Sequence, residues 1–351
     1  MGSRREVVLY TLASGVAMGQ QRYEHHLSEG LASILGPEWD LRAEVVRSLR
    51  SSLPGTIRVP LLPDNPRARL FRRLAGAYLS RRKASVRHRL DLRLPPLRQP
   101  EVLTVHDLAP WHFDDEGTVA ADAESSLRRA SVVVAPSQFS AAEISERFRL
   151  RSVRVIPNGV PEDLGSYPPL AAAELAALGI DRPFVLHAGG ATYRKNLTSL
   201  AEAWNNEVSR ESDALLVLCG PEDSRRTLLF AEAPRTRLLS FVDRRVLVGL
   251  LKRALCVVVP SIYEGFGIPA LEAMASKVPA VVARTSALAE VCADGAVMVD
   301  PSPEGLAAGI LQVLRGDGLA LITERGLAQA QNYNWHTSLE AHAALYTELV
   351  D

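Results

Sequence analysis

A chain of 351 residues, 47% of them hydrophobic, is long enough to bury two cores, and its 40 basic residues balance its 40 acidic ones. That balance excludes a protein whose surface as a whole binds a polyanion. No apolar run reaches the roughly 18 residues of a membrane span. Cys219, Cys256 and Cys292 lie far apart in apolar stretches without metal-ligand spacing, so they read as buried free thiols of a reducing, cytoplasmic compartment.

Short β-type runs alternate with helical patterns from end to end, which predicts parallel sheets flanked by helices. The first run, Val7 to Ala13, follows Arg4-Arg5 in the manner of a signal peptide. Gly15, Gly19 and an amphipathic segment come after it, so it reads instead as a first core strand, loop and helix. On that helix His25 and His26 are adjacent and point to different faces, with no Glu-x-x-His partner, so no metal is expected there. Further strands are predicted at Ala43 to Arg47, Val102 to His106, Val132 to Pro136 and Val153 to Pro157. Asp107, after the second of these, reads as a turn or cap residue, and Ser137 as a helix cap.

Between the predicted strands lies a basic stretch, Arg67 to Arg98, with ten arginines, Lys83 and a single acid, Asp91. Leu70, Leu74, Ala77 and Tyr78 interleave with the charges as on an amphipathic helix. The stretch is either a solvated arginine-rich face or a peripheral contact with an anionic membrane or anionic acceptor. Nucleic acid is not expected, because no aromatic platform or DNA-binding motif accompanies the charge.

A turn-rich connection, Asn158 to Pro183, leads into the second half. Strands are predicted there at Phe184 to Ala188, Ala214 to Cys219, Leu238 to Val242, Cys256 to Pro260, Ala280 to Ala283 and Val297 to Val299. Trp335, Leu339, His342, Leu345 and Leu349 then recur at helical spacing. In parallel sheets ligands bind beyond the carboxyl ends of the strands. Two motifs fall there.

The first is Gly189-Gly190-Ala191-Thr192-Tyr193-Arg194-Lys195-Asn196, where a glycine pair precedes two cations at a helix start. Arginine with paired donors and lysine as a point charge suit a diphosphate. The second is Glu264-Gly265-Phe266-Gly267-Ile268-Pro269-Ala270-Leu271-Glu272, a strand end, a glycine-bearing loop and a helix start. Pro269 suits the first helical position, where the missing N–H costs nothing, Gly265 and Gly267 let backbone amides approach a ligand, and a helix N-terminus attracts phosphate. Glu264 and Glu272, acceptor-only when ionised, suit sugar hydroxyls on either side. One ligand carries phosphates between two sets of hydroxyls, namely a nucleotide-sugar.

Two glutamates seven residues apart around a G-F-G-x-P core resemble the signature of retaining family 4 glycosyltransferases of the GT-B fold. The resemblance extends over most of the chain. Arg194-Lys195-Asn196 is similar to the family's R-K-N donor-phosphate motif, with Lys195 the direct match, Gly190 or Ala191 standing where an arginine is common, and Arg194 a substitute for it. His106-Asp107-Leu108 resembles the H-D-L element, whose histidine faces the donor sugar. Gly19-Gln20-Gln21-Arg22-Tyr23 resembles the glycine-rich G-I-G-R-Y loop, departing at Gln20 and Gln21; Arg22 and Tyr23 either serve the site or pack on the first helix. Asp243 falls in the loop that flanks the nucleotide base, and Lys277 stands where glycine is common.

The resemblance implies an α/β chain of two Rossmann-like domains facing across a cleft. The expected division is residues 1–165 on the acceptor side, 166–333 binding the nucleotide-sugar, and a terminal helix, 334–351, crossing back to the first. It implies transfer of a hexosyl group, with retention, from a nucleoside-diphosphate sugar to an acceptor hydroxyl in carbohydrate biosynthesis, without metal or other cofactor. His106, Lys195 and Glu264 are the implied catalytic residues, and Gly19, Gly190, Arg194, Lys195, Glu264, Gly265, Phe266, Gly267, Ile268 and Glu272 the implied donor-binding ones. The acceptor is not named by any motif. The rivals are a GT-B nucleotide-sugar epimerase, which needs an acid or base at the sugar's second carbon, and a non-catalytic sugar-nucleotide or membrane-surface binder, which the altered Gly19 loop would fit.

Overall fold

The computed structural model describes residues 4–15, 19–60 and 68–351. The chain forms two compact units, Met1–Gly159 with Trp335–Asp351, and Val160–Asn334. The first is built on seven parallel strands: β1 (Arg5–Leu12), β2 (Trp39–Ser48), β3 (Ile57–Val59), β4 (Val86–Arg89), β5 (Glu101–Thr104), β6 (Val132–Ala135) and β7 (Arg154–Val155). Their order, β3-β2-β1-β4-β5-β6-β7, reverses between β1 and β4, which opens a crevice beyond the carboxyl ends of that pair. Helices α1 (Gly19–Ile34), α2 (Ala68–Leu79) and α3 (Gln138–Phe148) belong to this unit, α3 being capped by Ser137, whose side chain accepts from the Ser140 amide at 3.1 Å.

Strands β3 and β4 were not expected, and β4 corrects the view of the basic stretch. Its sequence, Val-Arg-His-Arg, offers no apolar run, yet every residue is buried. The charges are answered internally instead. Arg89 donates to the Glu101 carboxylate at 2.8 Å, to the Leu94 carbonyl at 2.7 Å and to Ser126, and Arg87 donates to the Arg82 carbonyl at 2.8 Å. Arg72 on α2 is likewise buried against Asp122, at 2.7 Å, and the carbonyls of Arg93 and Leu94. Removing either partner of such a pair leaves an uncompensated buried charge. Arg67 lies outside the described residues.

The terminal helix, Trp335–Glu348, packs in this unit against α1. Trp335 stacks on His26 with ring centroids 4.5 Å apart. Gly30 makes room for Leu339, which an added Cβ would meet at 2.4 Å. A buried hydrogen-bond chain then ties the helix to the sheet, and the order of its protons follows from one end. The Ser338 carbonyl can only accept, so His342 Nδ1 donates to it at 2.7 Å, and in a neutral ring Nε2 must accept, here from the Tyr23 hydroxyl at 2.9 Å. The Tyr23 oxygen takes the Thr104 proton at 3.1 Å, Thr104 takes that of His88 Nε2 at 2.8 Å, and His88 Nδ1 takes that of Tyr346 at 2.7 Å.

The second unit has six parallel strands: β8 (Phe184–Ala188), β9 (Leu215–Cys219), β10 (Thr236–Leu239), β11 (Cys256–Val259), β12 (Ala280–Ala283) and β13 (Val297–Val299). Five were expected close to these bounds, because strands covered on both faces read as unbroken apolar runs, while the edge strand β10, expected at Leu238 to Val242, begins earlier and carries an exposed arginine. Their order, β10-β9-β8-β11-β12-β13, reverses between β8 and β11. Helices α4 (Ser224–Leu229), α5 (Arg244–Leu251) and α6 (Ile268–Ala275) lead from the ends of β9, β10 and β11. The three cysteines are buried and free, and burial pushes each thiol up to about 12, so they are inert packing groups. Lys277, just past α6, is exposed at φ +58°, a left-handed backbone that favours glycine.

Two stability predictions follow from these positions. Lys277→Gly is expected to raise stability by about 1 kcal/mol, read by denaturant titration, because it removes left-handed strain without touching a contact. Burial lowers the pKa of His88, His106, His187 and His342, the last two to about 4. A lowered histidine stabilises the fold above its unfolded pKa, near 6.5, and that stability is lost as pH falls toward 4. Burial of Glu24, raised to about 7, and of Glu101 acts in the opposite sense, but two carboxyls face four imidazoles. The apparent Tm should therefore drop between pH 6.5 and 4.5, and a flat profile there would contradict the buried neutral rings.

Candidate active site

The reversal between β8 and β11 places the loops after these two strands side by side, and both sequence motifs lie in them. After β8 the chain passes through Gly189 and Gly190. Gly220, at φ +155°, is pressed so closely on this loop that an added Cβ would lie 1.9 Å from the Gly189 carbonyl oxygen. Gly190, in contrast, has nothing within 4 Å of a Cβ and borders open space. Two arginines of α4 brace the loop from the side. Arg226 is buried and donates to the Gly220 carbonyl at 2.8 Å and to that of Pro221, while Arg225 donates to the Ala191 carbonyl at 3.0 Å and stacks 3.6 Å from the Tyr193 ring centroid.

Tyr193–Lys195 form one 3₁₀ turn, closed by Asn196 at φ +54°. The Asn196 amide donates to the carbonyls of Pro260, at 3.1 Å, and Pro301, at 2.7 Å, tying the β8 loop to the loops after β11 and β13. This fixes the two cations before it. Lys195 Nζ donates to Glu264 Oε1 at 2.5 Å, and Arg194 Nη1 to Glu264 Oε2 at 2.8 Å. Ser261 adds a hydrogen bond to Oε1 at 2.8 Å, and the Glu264 amide donates to Ser286 Oγ at 2.8 Å. Burial alone would raise the Glu264 carboxyl. The charges of Lys195 and Arg194, with the hydrogen bonds of Lys195 and Ser261, outweigh it and hold the group at about 2.

Gly265 and Phe266 follow, both buried, with Phe266 edge-on to Tyr333 at 5.4 Å between centroids. Gly267 caps α6 at φ +107°, where an added Cβ would also lie 2.5 Å from Leu288, so only glycine fits. Ile268 opens the helix, so Pro269, expected at the first helical position, takes the second. Glu272 is buried one turn further on and pairs with Arg244 at 2.8 Å. Arg244 also grips Asp163 through two hydrogen bonds of 2.7 and 2.8 Å. Asp243, before it, caps α5 by accepting from the Val246 amide at 2.8 Å.

The structure thus joins Arg194, Lys195 and Glu264 directly and sets Gly190 and Gly265 to Ile268 in the same pair of loops. Glu272 belongs to a separate ionic cluster. Gly19 and His106 lie in the first unit. Gly19 opens α1, next to residues 16–18, which are outside the described residues. The neighbouring Gln20 spans the reversal of the first sheet, its amide donating to Glu24 and Asp91 at 3.0 Å each. His106 meets the Tyr23 ring edge-on at 4.8 Å, its carbonyl accepts from Ser140 Oγ at 3.2 Å, and its Nε2 is enclosed without a partner. Asp107 makes a turn by accepting from the Ala109 amide at 3.0 Å. Arg226, Arg244 and Ser261 were missed in the sequence, where nothing distinguishes them from other polar residues near strand ends. Among the described residues no three His, Cys, Asp or Glu side chains form a group able to hold a metal ion.

The sequence pattern of the glycosyl transferases group 1 matches residues 174–328, and that of glycosyltransferase family 4 matches residues 17–164. The chain is 31% identical over 304 residues to the O-antigen chain mannosyltransferase B of Escherichia coli, covering 79% of this chain and 78% of that one. It is 29% identical over 233 residues to a glycogen synthase of Mycobacterium tuberculosis, covering 63% and 55%. Among solved structures, sucrose-phosphate synthase from Thermosynechococcus elongatus superposes with a TM-score of 0.78 at 23% identity over 99% of both chains. Anabaena HepE in complex with UDP and glucose gives 0.77 at 18% identity over 99% of this chain and all of that one. The fold, two parallel-sheet α/β domains, is the GT-B fold.

The ion cluster makes a distinguishing prediction. In Glu264→Ala the two cations lose the carboxylate that competes for them, so a nucleoside diphosphate should bind at least as tightly as to the native chain, whereas Lys195→Ala should weaken it about tenfold or more. Isothermal titration with UDP and GDP checks this, and equal losses in both variants would mean that Glu264 holds the diphosphate site together rather than occupying it.

Proposed function

We propose that this chain, which belongs to the family 4 glycosyltransferases, moves a hexosyl group from a nucleoside-diphosphate sugar to an acceptor hydroxyl with retention of anomeric configuration. The observation that carries this is the pair of cations, Arg194 and Lys195, held on Glu264 at the reversal of the second sheet. A diphosphate arriving there offers more negative charge than one carboxylate, and the cations turn to it. Glu264, released in its ionised form, accepts hydrogen bonds from the donor sugar, while Glu272 accepts those of the nucleoside ribose.

As the bond from the anomeric carbon to the phosphate oxygen breaks, negative charge grows on that oxygen. Lys195, Arg194 and the N-terminus of α6 stabilise it. The acceptor oxygen bonds to the anomeric carbon from the same side, and its proton passes to the leaving diphosphate. No enzymic nucleophile takes part, and side chains supply the positive charge, so no metal or other cofactor is called for. His106 enters through the family resemblance as a hydrogen-bonding partner of the sugar, and burial, which lowers its pKa, keeps it neutral near pH 7. The free buried thiols fit a reducing, cytoplasmic setting.

Incubation with UDP- and GDP-sugars, with and without acceptor extracts, tests the proposal by free nucleotide and by the anomeric coupling of the product. Acceptor-stimulated nucleotide release and a product with the donor's configuration are expected, with turnover reduced about 100-fold in Lys195→Ala at saturating donor. An inverted product, a 2-epimer formed without acceptor, or donor binding with no turnover would each overturn it.

A further inference from the structure

We propose that helix α2 docks this protein on anionic membranes, its apolar stripe entering the lipid surface and the flanking arginines meeting the headgroups. The helix is inside out. Its inward face is Ala75, Gly76 and Leu79, together with Arg72, whose guanidinium is taken up by Asp122 and two carbonyls. Gly76 is pressed against the following segment so closely that an added Cβ would lie 1.9 Å from the Pro96 carbonyl oxygen. The large apolar side chains face the other way. Leu70, Phe71, Leu74 and Tyr78 are between 48% and 63% exposed, and no other helix among the described residues shows more than one exposed side chain of this kind. Residues 70, 74 and 78 stack along one face, with Phe71 beside them. A contiguous wet stripe of this kind marks a contact surface.

Charge identifies the occupant. Arg69 and Arg73 lie on α2, Arg81, Arg82 and Lys83 follow its end, and Arg98 is anchored there through its amide on Ser80 Oγ at 3.0 Å. All six are exposed. Asp91, the sole acid between positions 67 and 98, is buried and binds Arg93. In a chain whose formal charge is zero, the exposed charges of this segment are therefore all positive. The Arg81 guanidinium lies over the Tyr78 ring, 4.0 Å from its centroid, so cationic head and apolar body sit together as they do at a lipid–water boundary. Phosphate-bearing headgroups above acyl chains answer both features at once.

The proposal stands apart from the transferase assignment, and its test separates the two. Sedimentation with phosphatidylcholine vesicles, with and without phosphatidylglycerol, is measured at low and high ionic strength for the native chain and two variants. One carries Leu70→Ser, Phe71→Ser and Leu74→Ser, the other Arg69→Glu, Arg73→Glu, Arg81→Glu and Arg82→Glu. Arg72 is left intact, because its charge is internal. Binding of the native chain to anionic vesicles, weakened by salt and reduced about tenfold or more in each variant at unchanged Tm, is expected. Absence of native binding at low ionic strength, or variants that bind like the native chain, would overturn it. So would light scattering that finds a native dimer made monomeric by the apolar variant, since a second copy would then be the occupant. Donor hydrolysis, followed in the same samples, fails only if the transferase assignment fails.

Discussion

A buried carboxylate shared by two cations is the constraint on which the loops of the second unit depend. Glu264 in isolation would be forced toward its neutral form by burial, and Lys195 and Arg194 in isolation would be a costly pair of half-enclosed like charges. Together they satisfy one another, and in doing so they lock the β8 loop to the β11 loop, while Asn196 and Ser286 extend the lock to the loops after β13 and β12. The four loops are thereby tied together through side chains. Two cations with one carboxylate leave one positive charge in excess, and that excess lies where a helix N-terminus adds its own field.

The parts that could be read from the sequence are those set by local chemistry. The strands of the second sheet are buried on both faces and announce themselves as runs such as Cys256 to Val259 and Ala280 to Ala283. Gly267 could be read because one residue type alone fits its backbone. Ser137 and Asp107 act through the two or three residues that follow them. The parts that could not be read depend on partners far along the chain. Strand β4 looks like surface because Glu101 and Ser126, which neutralise and hydrogen-bond Arg89, lie 12 and 37 positions away. His342, spaced as an apolar helix residue, gives no sign that its ring closes a hydrogen-bond chain to Tyr23, 319 positions away.

The same distinction sorts the arginines of the first unit. Arg72, Arg87 and Arg89 are structural, each consumed by a carboxylate or by carbonyls inside the domain, and their guanidinium forks suit that task better than an ammonium would. Of the others between positions 69 and 98, Arg69 and Arg73 are exposed on α2, Arg81 and Arg82 lie just beyond its end, Arg98 is held at Ser80, and Arg93 binds Asp91. A count of charges along the sequence merges the two groups and overstates the surface effect, while a count made after folding leaves fewer cations but no acid among them.

The two glutamates of the nine-residue motif, finally, are not equivalent. Glu264 sits with two cations and leaves that cluster positive. Glu272 pairs with Arg244, which also holds Asp163. The two glutamates, eight positions apart in the sequence, are therefore held by different partners. Under the proposed function the diphosphate lies at the Lys195 end, and a hydroxyl-rich group takes the place of Arg244 as partner of Glu272. Polarity in this site is therefore built by what each glutamate is paired with, since the glutamates themselves are the same.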